Sequence, residues 1–256
     1  MDPIQAGRNF LKSGPWADLR TLDRDQARGV PPPPVQQECP DGAELIDLVP
    51  PEQLSLGTAP LRQVINQRRS RRSYTDESLT LEELSFLLST TQGVQEVVRG
   101  GAGTLRTAPS GGARHSLETY VVVNRVDGLK PGLWRYQPLD HQLCLLREDA
   151  SLPGQLAEAC CGQKFVGEGA VVFAWTSVPY RMEWRYSVLS HKVIAIDAGH
   201  VCQNLYLAAE SIGAGTCGIG AYFQEQVDAL LGVDGKDELT VYLAPVGKLA
   251  RTAAGG

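Results

Sequence analysis

Residues 169–178 read Gly-Ala-Val-Val-Phe-Ala-Trp-Thr-Ser-Val and form the longest strongly apolar run of the chain. A continuous apolar run of this kind is typical of a β-strand that is buried on both faces, so we expect it in the middle of a sheet. The run is about half as long as a membrane-spanning helix, and no membrane span is predicted. Residues 192–212 carry apolar residues on every side and are followed by Gly213, which predicts a helix buried at the centre of the protein.

Weaker signals on both sides of this strand and helix predict the remaining elements. Helices are expected after Pro60, from the capping box at Thr80 to Gly93, and over 152–161 and 224–231. Strands are expected over 118–126, 132–136, 142–146 and 238–244, the second and third as a hairpin. Five glycines in residues 100–112 predict a loop. Helices followed by strands that alternate with helices indicate an α+β or three-layer α/β fold.

Composition excludes several classes of protein. With 43% hydrophobic and 21% charged residues among 256, the chain is neither disordered nor fibrous, and its net charge of -5 argues against a dedicated nucleic-acid-binding protein. The six cysteines form no CxxC pairs and the histidines no HxxxH spacing, so no metal site is predicted. Because the N-terminus has no apolar stretch suited to a signal peptide, we expect a reduced, cytoplasmic protein.

The first quarter of the chain differs from the rest. Ten of the 16 prolines fall in the first 60 residues, so residues 1–57 are predicted to be a proline-rich N-terminal extension and residues 58–256 the main domain. Residues 9–22 are a helical candidate within the extension. Polyproline forms an extended ribbon without internal hydrogen bonds, and we expect residues 30–51 to lie across the surface of the main domain. A proline-rich ligand for another protein is the alternative.

The densest cluster of charge is Arg68-Arg-Ser-Arg-Arg72, directly after a predicted helix. Guanidinium groups match phosphate oxygens in bidentate pairs and a serine hydroxyl can add a further hydrogen bond, so the cluster favours a phosphate-bearing ligand. A solvated basic turn is the alternative.

Two glycine-rich segments could bring the backbone close to a ligand, residues 107–113 and residues 213–220. Neither contains the GxGxxG motif before a helix or the phosphate-binding loop of nucleotide-binding folds, which are therefore disfavoured. Four glycines in residues 213–220 would let the backbone approach a planar ring, although a helix end and a tight turn would explain some of them. Cys217 has no histidine placed beside it by any motif and is interpreted as a small buried residue rather than a nucleophile.

Read together, these segments resemble the flavin nitroreductase superfamily, and specifically its SagB/ThcOx-type dehydrogenase branch, over about residues 60–248. Five motifs carry the resemblance in order: Arg68-Arg-Ser-Arg-Arg-Ser-Tyr74, Pro109-Ser-Gly-Gly-Ala-Arg-His115 with Glu118-Thr-Tyr-Val-Val-Val123, Asp197-Ala-Gly-His200, Gly213-Ala-Gly-Thr-Cys-Gly-Ile-Gly220, and Val246-Gly-Lys248. The resemblance implies a nitroreductase-like α+β fold of three α/β/α layers, with a central, mostly antiparallel mixed sheet flanked by helices, in an intertwined homodimer.

The resemblance also implies FMN at the interface of the two subunits. Arg68, Ser70 and Arg72 would hold its phosphate or ribityl chain, Arg69 would lie toward the pyrimidine edge, and Lys248 would be a further phosphate cation. Other residues would surround the ring: Pro109, Ser110 and Gly111 from the partner subunit, and Gly218, Ile219 and Gly220 near its reactive N5.

The implied activity is that of an oxidoreductase working by ping-pong hydride transfer through flavin N5, with the cofactor supplying the chemistry. Branch members that oxidise thiazolines and oxazolines in peptides use a Lys-Tyr pair as the proposed base, and Arg185-Tyr186 stands at that place here. Tyr186 could act as acid or base beside Arg185, whereas arginine itself hardly deprotonates. The open alternatives are an NAD(P)H-dependent reductase of small molecules, an azoline dehydrogenase acting on a modified peptide, and a non-catalytic protein that binds flavin or peptide.

Overall fold

The computed structural model describes residues 2–14 and 16–250, so the last six residues of the predicted main domain lie outside the described residues. The helices in these ranges are α1 (Pro3–Leu11), α2 (Leu61–Gln67), α3 (Leu81–Gln92), α4 (Leu152–Ala159), α5 (Phe165–Glu168), α6 (Tyr180–Tyr186), α7 (Ser190–Ser211) and α8 (Gln224–Leu231). The strands are β1 (Leu45–Asp47), β2 (Val94–Val98), β3 (Gly103–Arg106), β4 (Leu117–Val123), β5 (Gly132–Gln137), β6 (Gln142–Glu148), β7 (Val171–Ser177), β8 (Ala214–Thr216) and β9 (Leu239–Lys248).

Within these ranges, seven strands form one sheet in the order β1-β6-β5-β4-β7-β9-β8. Every strand pair in it is antiparallel, and parallel pairing occurs at isolated bridges such as Ser70 with Thr216 beside β8. The sheet separates two hydrophobic cores, one covered by α3 and α7 and the other by α4, α5 and α8. The predicted α+β fold with three layers and a mostly antiparallel sheet is therefore confirmed.

Strand β7 lies in the middle of this sheet, between β4 and β9, as the apolar run predicted. All seven of its residues are buried. Phe173 and Trp175 point into the core under α7, whereas Val172 and Ala174 point into the core under α4 and α8. Because both faces are covered by helices, apolar residues are required at consecutive positions, which is why the run does not alternate.

Helix α7 is present and is followed by Gly213 at a φ of 71°, but the expectation that it would be buried on all sides is wrong for a single chain. One stripe that includes Ile194, Val201 and Leu205 is buried, while Ile196 on another side is 46% exposed. The reason is its position: α7 forms part of an outer layer on the sheet, so neighbouring elements cover only the sides that face them. The side of the helix that is left uncovered carries Ala195, Ile196, Gly199, His200 and Gln203.

Two local expectations are also corrected. The helical candidate over 9–22 is wrong in position, because α1 begins at Pro3, where the Asp2 side chain accepts a hydrogen bond of 3.1 Å from the Ile4 N–H and caps the helix. Residues 100–112 are not one loop, since β3 pairs with β2 in a hairpin. Gly100 and Gly101 make its turn, with φ of 62° and 95°. The residues that indicate strands are the β-branched ones on either side of this turn, such as Val94 and Thr104.

The N-terminal extension is attached to the main sheet. Strand β1 pairs with β6 through Leu45–Cys144 and Ile46–Leu143, and so forms the edge of the sheet. The boundary near residue 58 stays a prediction, but the residues before it contribute a strand to the fold. None of the helices in the described ranges is long and apolar enough to cross a membrane.

Candidate active site

The arginine cluster is fixed against the sheet edge formed by β8. Helix α2 ends at Gln67, and the chain from Arg68 onward runs beside β8, where the Arg71 N–H donates to the Thr216 carbonyl at 2.9 Å. Further along, the Thr75 N–H donates to the Lys248 carbonyl at 2.9 Å. Three of the predicted motifs, at 68–74, 213–220 and 246–248, are therefore neighbours in the folded chain.

Tyr206 of α7 joins two of these motifs and was missed by the sequence analysis. Its hydroxyl accepts a hydrogen bond of 2.7 Å from the Gly218 N–H and lies 3.1 Å from the Ser70 hydroxyl. The Arg68 guanidinium lies over the Tyr206 ring, 5.3 Å from its centre. One tyrosine thus holds the arginine cluster and the glycine segment at a fixed separation.

The cluster concentrates positive charge around a cleft of about 1120 Å³ that is lined by Arg69, Arg71 and Arg72 together with Ser70 and Glu210. Among residues 2–14 and 16–250, no carboxylate lies within 4.0 Å of a guanidinium nitrogen of the cluster. The Arg71 Nε is buried and has no hydrogen-bond partner in the same part of the chain. Uncompensated guanidinium groups beside a serine hydroxyl suit a phosphate group, so these residues fit the phosphate end of FMN.

Lys248 is in a different situation from the arginines. Its ammonium contacts the carboxylate of Glu83, whose other oxygen accepts from the Thr80 N–H at 2.9 Å in the capping box of α3. The Lys248 charge is therefore already paired within the chain. Its role as a phosphate cation stays a prediction.

The glycine segment approaches neighbouring side chains closely. A Cβ atom on Gly218 would lie 2.4 Å from the Tyr242 hydroxyl and 3.3 Å from the Cys202 Sγ, so only glycine fits. The Ile219 N–H donates to the Leu243 carbonyl at 2.7 Å. The space beside Gly220 is open, and this residue lines a cavity of about 560 Å³. Of the three residues predicted to face a flavin ring, Gly220 borders open space, while the Gly218 and Ile219 amides already donate within the chain.

The other predicted residues meet at the opposite end of α7. The Gly111 N–H donates to Asp197 at 3.2 Å, and the Ser110 hydroxyl accepts from the His115 N–H at 2.9 Å. Burial raises the pKa of Asp197 above its usual value, while hydrogen bonds from Ser110 and Gly111 oppose this shift. Pro109 is exposed at the start of this loop. Asp197 therefore anchors the loop, a role that its presence in a motif did not reveal.

Tyr186 packs on the same loop. Gly112 has a φ of 64°, and a Cβ atom there would lie 2.2 Å from the Tyr186 hydroxyl oxygen. The Arg185 guanidinium lies 5.3 Å from the centre of the Tyr186 ring. The structure thus brings Arg185 and Tyr186 together with Gly111 and Gly112, at the end of α6.

In a single chain these residues form two groups. We call the first the arginine part-site, comprising Arg68–Arg72, Tyr206, Gly218–Gly220 and Lys248. We call the second the tyrosine part-site, comprising Pro109–Gly112, Arg185, Tyr186 and Asp197. Their anchors on α7, Asp197 and Tyr206, are separated by two and a half turns, roughly 13 Å along the helix axis.

Comparison with known proteins assigns the fold to a family. The family model described as "Nitroreductase family" matches residues 65–248. A nitroreductase-like protein of Methanocaldococcus jannaschii is 34% identical over 188 residues, which cover 73% of this chain and 90% of that protein. A solved nitroreductase-like structure from Ralstonia eutropha superposes with a TM-score of 0.67 at 28% identity, over 87% of this chain and 100% of the other.

A further relative is named for peptide processing. The trifolitoxin-processing protein TfxB of Rhizobium leguminosarum bv. trifolii is 30% identical over 142 residues. The match covers 53% of this chain and 38% of that protein, so the two correspond over only part of their lengths.

Proposed function

Because this chain belongs to the nitroreductase family, we propose that it is an FMN-dependent oxidoreductase of the SagB type whose active site is completed by a second copy of the chain. The observation that carries the proposal is the arginine part-site, where Arg69, Arg71 and Arg72, which have no carboxylate partners in the described residues, line a cleft beside Ser70 and the backbone of Gly213. When bound, FMN would supply hydride acceptance and donation at N5 in a ping-pong cycle.

The arginine part-site would bind the cofactor. Arg68, Ser70 and Arg72 would hold the phosphate or ribityl chain through charge-assisted hydrogen bonds, and Arg69 would lie toward the pyrimidine edge. The buried Arg71 Nε, which has no partner in the described residues, adds a donor that the sequence motif did not single out. Lys248 would contribute positive charge only to the extent that Glu83 leaves it uncompensated.

We expect a first test of this assignment to be the affinity for FMN. Arg68→Ala removes one charge-assisted contact, worth about 1.5–3 kcal/mol, and should weaken FMN binding by about 10- to 100-fold. Binding is measured by quenching of FMN fluorescence on titration with apoprotein. Arg62→Ala is the matched control, because Arg62 is exposed on α2 and lies outside the cluster. Equal weakening by both variants would contradict a specific site.

A homodimer would bring the two part-sites together. Each part-site holds only some of the groups that the family places around one flavin, and the uncovered face of α7 carries Ile196 at 46% exposure. Burial of that face against the same face of a second chain would remove apolar surface from water. The loop of Pro109, Ser110 and Gly111 would then come from the partner subunit.

This assembly predicts that Ile196→Glu separates the subunits. The wild-type protein should sediment as a dimer, and the variant should sediment as a monomer with a weakened hold on FMN, because a carboxylate would be buried in the interface. Leu139→Glu is the control, since Leu139 is 40% exposed in the turn between β5 and β6, outside α7 and both part-sites. A wild-type monomer that binds FMN fully would refute the shared site.

Tyr186 would donate or accept a proton at its phenol oxygen while substrate is oxidised or reduced. Its hydroxyl lies against Gly112, and the Arg185 guanidinium lies 5.3 Å from the centre of its ring, which places a fixed positive charge beside the phenol. Arg185 replaces the lysine of azoline dehydrogenases and would act electrostatically rather than as a base.

Two substrate classes remain, and each has support. A reductase would take electrons from NAD(P)H for small nitro or quinone acceptors, which fits the nitroreductase relatives. An azoline dehydrogenase would oxidise a modified peptide, which fits the retained Tyr186 and the likeness to a toxin-processing protein. Anaerobic mixing of the holoenzyme with NADPH distinguishes the two activities. Bleaching of the flavin would show that NADPH reduces it, as a reductase requires, and absence of bleaching would favour the dehydrogenase. Purified protein that is colourless and takes up no FMN would refute both enzymatic functions and leave non-catalytic peptide binding as the remaining alternative.

A further inference from the structure

Residues 16–38, which we call the strap, cross helix α6 and end beside β5. The strap contains one short 3-10 helix, Trp16–Arg20, followed by turns up to Gly29, and continues from residue 30 as an extended proline-rich chain. Its contacts with α6 are specific hydrogen bonds. The Gln26 N–H donates to the Trp184 carbonyl at 2.9 Å, and the Trp184 Nε1 donates to the Val30 carbonyl at 2.8 Å.

Buried arginines hold the proline-rich half of the strap. Arg181 donates through Nε to the Pro34 carbonyl at 2.7 Å, and Arg106 donates through Nη2 to the Val35 carbonyl at 2.8 Å. Arg181 and Arg106 are 2% and 6% exposed. A polyproline ribbon has carbonyls without internal partners, and a buried guanidinium needs acceptors, so each satisfies the other. These contacts bind the ribbon to its own domain, which argues against the alternative that it is a ligand for another protein.

The strap also caps the end of α6 that carries the tyrosine part-site. The last carbonyls of a helix lack partners within the helix. Here the Trp184 carbonyl accepts from Gln26, and the Arg185 carbonyl accepts from Arg24 Nη1 at 3.3 Å. The position of Tyr186, the next residue, is therefore tied to the strap.

Trp16 then contacts Tyr186 directly. The two rings meet edge to face, with centres 5.6 Å apart and planes at 71°, a favourable geometry for an aromatic pair. Trp16 is still 40% exposed, so it lies at the rim rather than in the core. Tyr186 is bounded by Gly112 on one side and by Trp16 on another.

We propose that the strap is part of the active site: Arg24 and Gln26 are positioning residues that fix the end of α6, and Trp16 is a specificity-determining wall beside Tyr186. The proposal rests on the proposed function, in which substrate reaches the Tyr186 phenol oxygen. A wall of this size next to the phenol sets the width of substrate that can approach it.

The first arm of the test needs no cofactor. In apoprotein, Arg24→Ala and Trp16→Ala should speed hydrogen–deuterium exchange of the 180–189 segment by about 10-fold or more, because a 1.4 kcal/mol loss of local stability is one factor of ten. Exchange in α3 should stay unchanged. The matched controls are Arg20→Ala and Leu11→Ala, which alter exposed side chains on either side of Trp16.

The second arm uses the holoenzyme with NADPH as the electron donor and with 1,4-benzoquinone or the wider anthraquinone-2-sulfonate as the acceptor. Trp16→Ala should raise kcat/KM for the wide quinone relative to the narrow one by about 10-fold, Trp16→Phe by less, and Leu11→Ala not at all. Unchanged exchange at 180–189, or an unchanged ratio between the quinones in Trp16→Ala, would overturn the proposal. Failure of the proposed function would show instead as wild-type protein without bound FMN or quinone reduction, while the first arm would still report on the strap.

Discussion

Gly218→Ala is expected to destabilise the protein by about 1–3 kcal/mol and to weaken FMN binding strongly, because there is no room for a methyl group at this position. The new Cβ would lie 2.4 Å from the Tyr242 hydroxyl, 2.8 Å from the Tyr242 Cζ and 3.3 Å from the Cys202 Sγ. Displacing the Gly218 backbone would also break its bond to Tyr206, which in turn contacts Ser70. Thermal unfolding and FMN titration measure the two effects.

Two further variants separate close packing from a general effect of added methyl groups. Gly154→Ala, in α4, has no atom within 4 Å of the new Cβ and should be neutral or slightly stabilising, since alanine loses less backbone freedom on folding. Tyr242→Phe removes the nearest atom, so it should reduce the loss of stability caused by Gly218→Ala. If Gly218→Ala were as stable as the wild type, the interpretation of Gly218 as a close contact would be wrong.

Glu118→Ala is expected to lower the free energy of unfolding by about 3–5 kcal/mol, because it leaves a buried guanidinium without its counter-ion. The Glu118 and Arg181 side chains form an ion pair and are 2% and 3% exposed. Glu118 also accepts from the Gln37 N–H at 2.8 Å, so the change would release one end of the strap. Urea-induced unfolding gives the loss of stability directly.

The exposed pair of Glu44 and Lys130 provides the comparison. Its nitrogen and oxygen lie 2.7 Å apart, but the side chains are 40% and 50% exposed, so Glu44→Ala should have a much smaller effect. Replacing both buried partners, Glu118→Met with Arg181→Met, should recover part of the stability lost in Glu118→Ala, since the guanidinium that pairs with Glu118 is removed together with it. Similar losses for Glu118→Ala and Glu44→Ala would contradict the importance of burial.

Much of the fold was predictable because its signals are local. The apolar run of β7 reports burial on both faces, and the capping box at Thr80 and Glu83 marks the start of α3. The β2–β3 hairpin was missed because the glycines at its turn resemble a loop when strand pairing is unknown. The exposed face of α7 was missed for a related reason, since apolar residues on all sides of a helix do not tell whether the same chain or another covers them.

The candidate site was predictable only in part. The arginines and glycines stand in short motifs, so their types and spacing are visible in the sequence. Tyr206 and Asp197 hold those motifs in place through contacts with Ser70 and Gly111, which lie far away along the chain. Such contacts exist only after folding, and a tyrosine or aspartate in a helix carries no local sign of them.

The strap has a consequence for how the protein can change over evolution. The acceptors in its contacts with Trp184, Arg181 and Arg106 are main-chain carbonyls, which every amino acid has. Substitutions along residues 30–38 can therefore accumulate as long as the path of the backbone is kept, whereas the donors on the main domain are constrained. The family model begins at residue 65, downstream of the strap. Sequence comparison would then fail to detect a segment that the buried arginines still require. Relatives with such an extension would be recognised more readily by its course across α6 than by its residues.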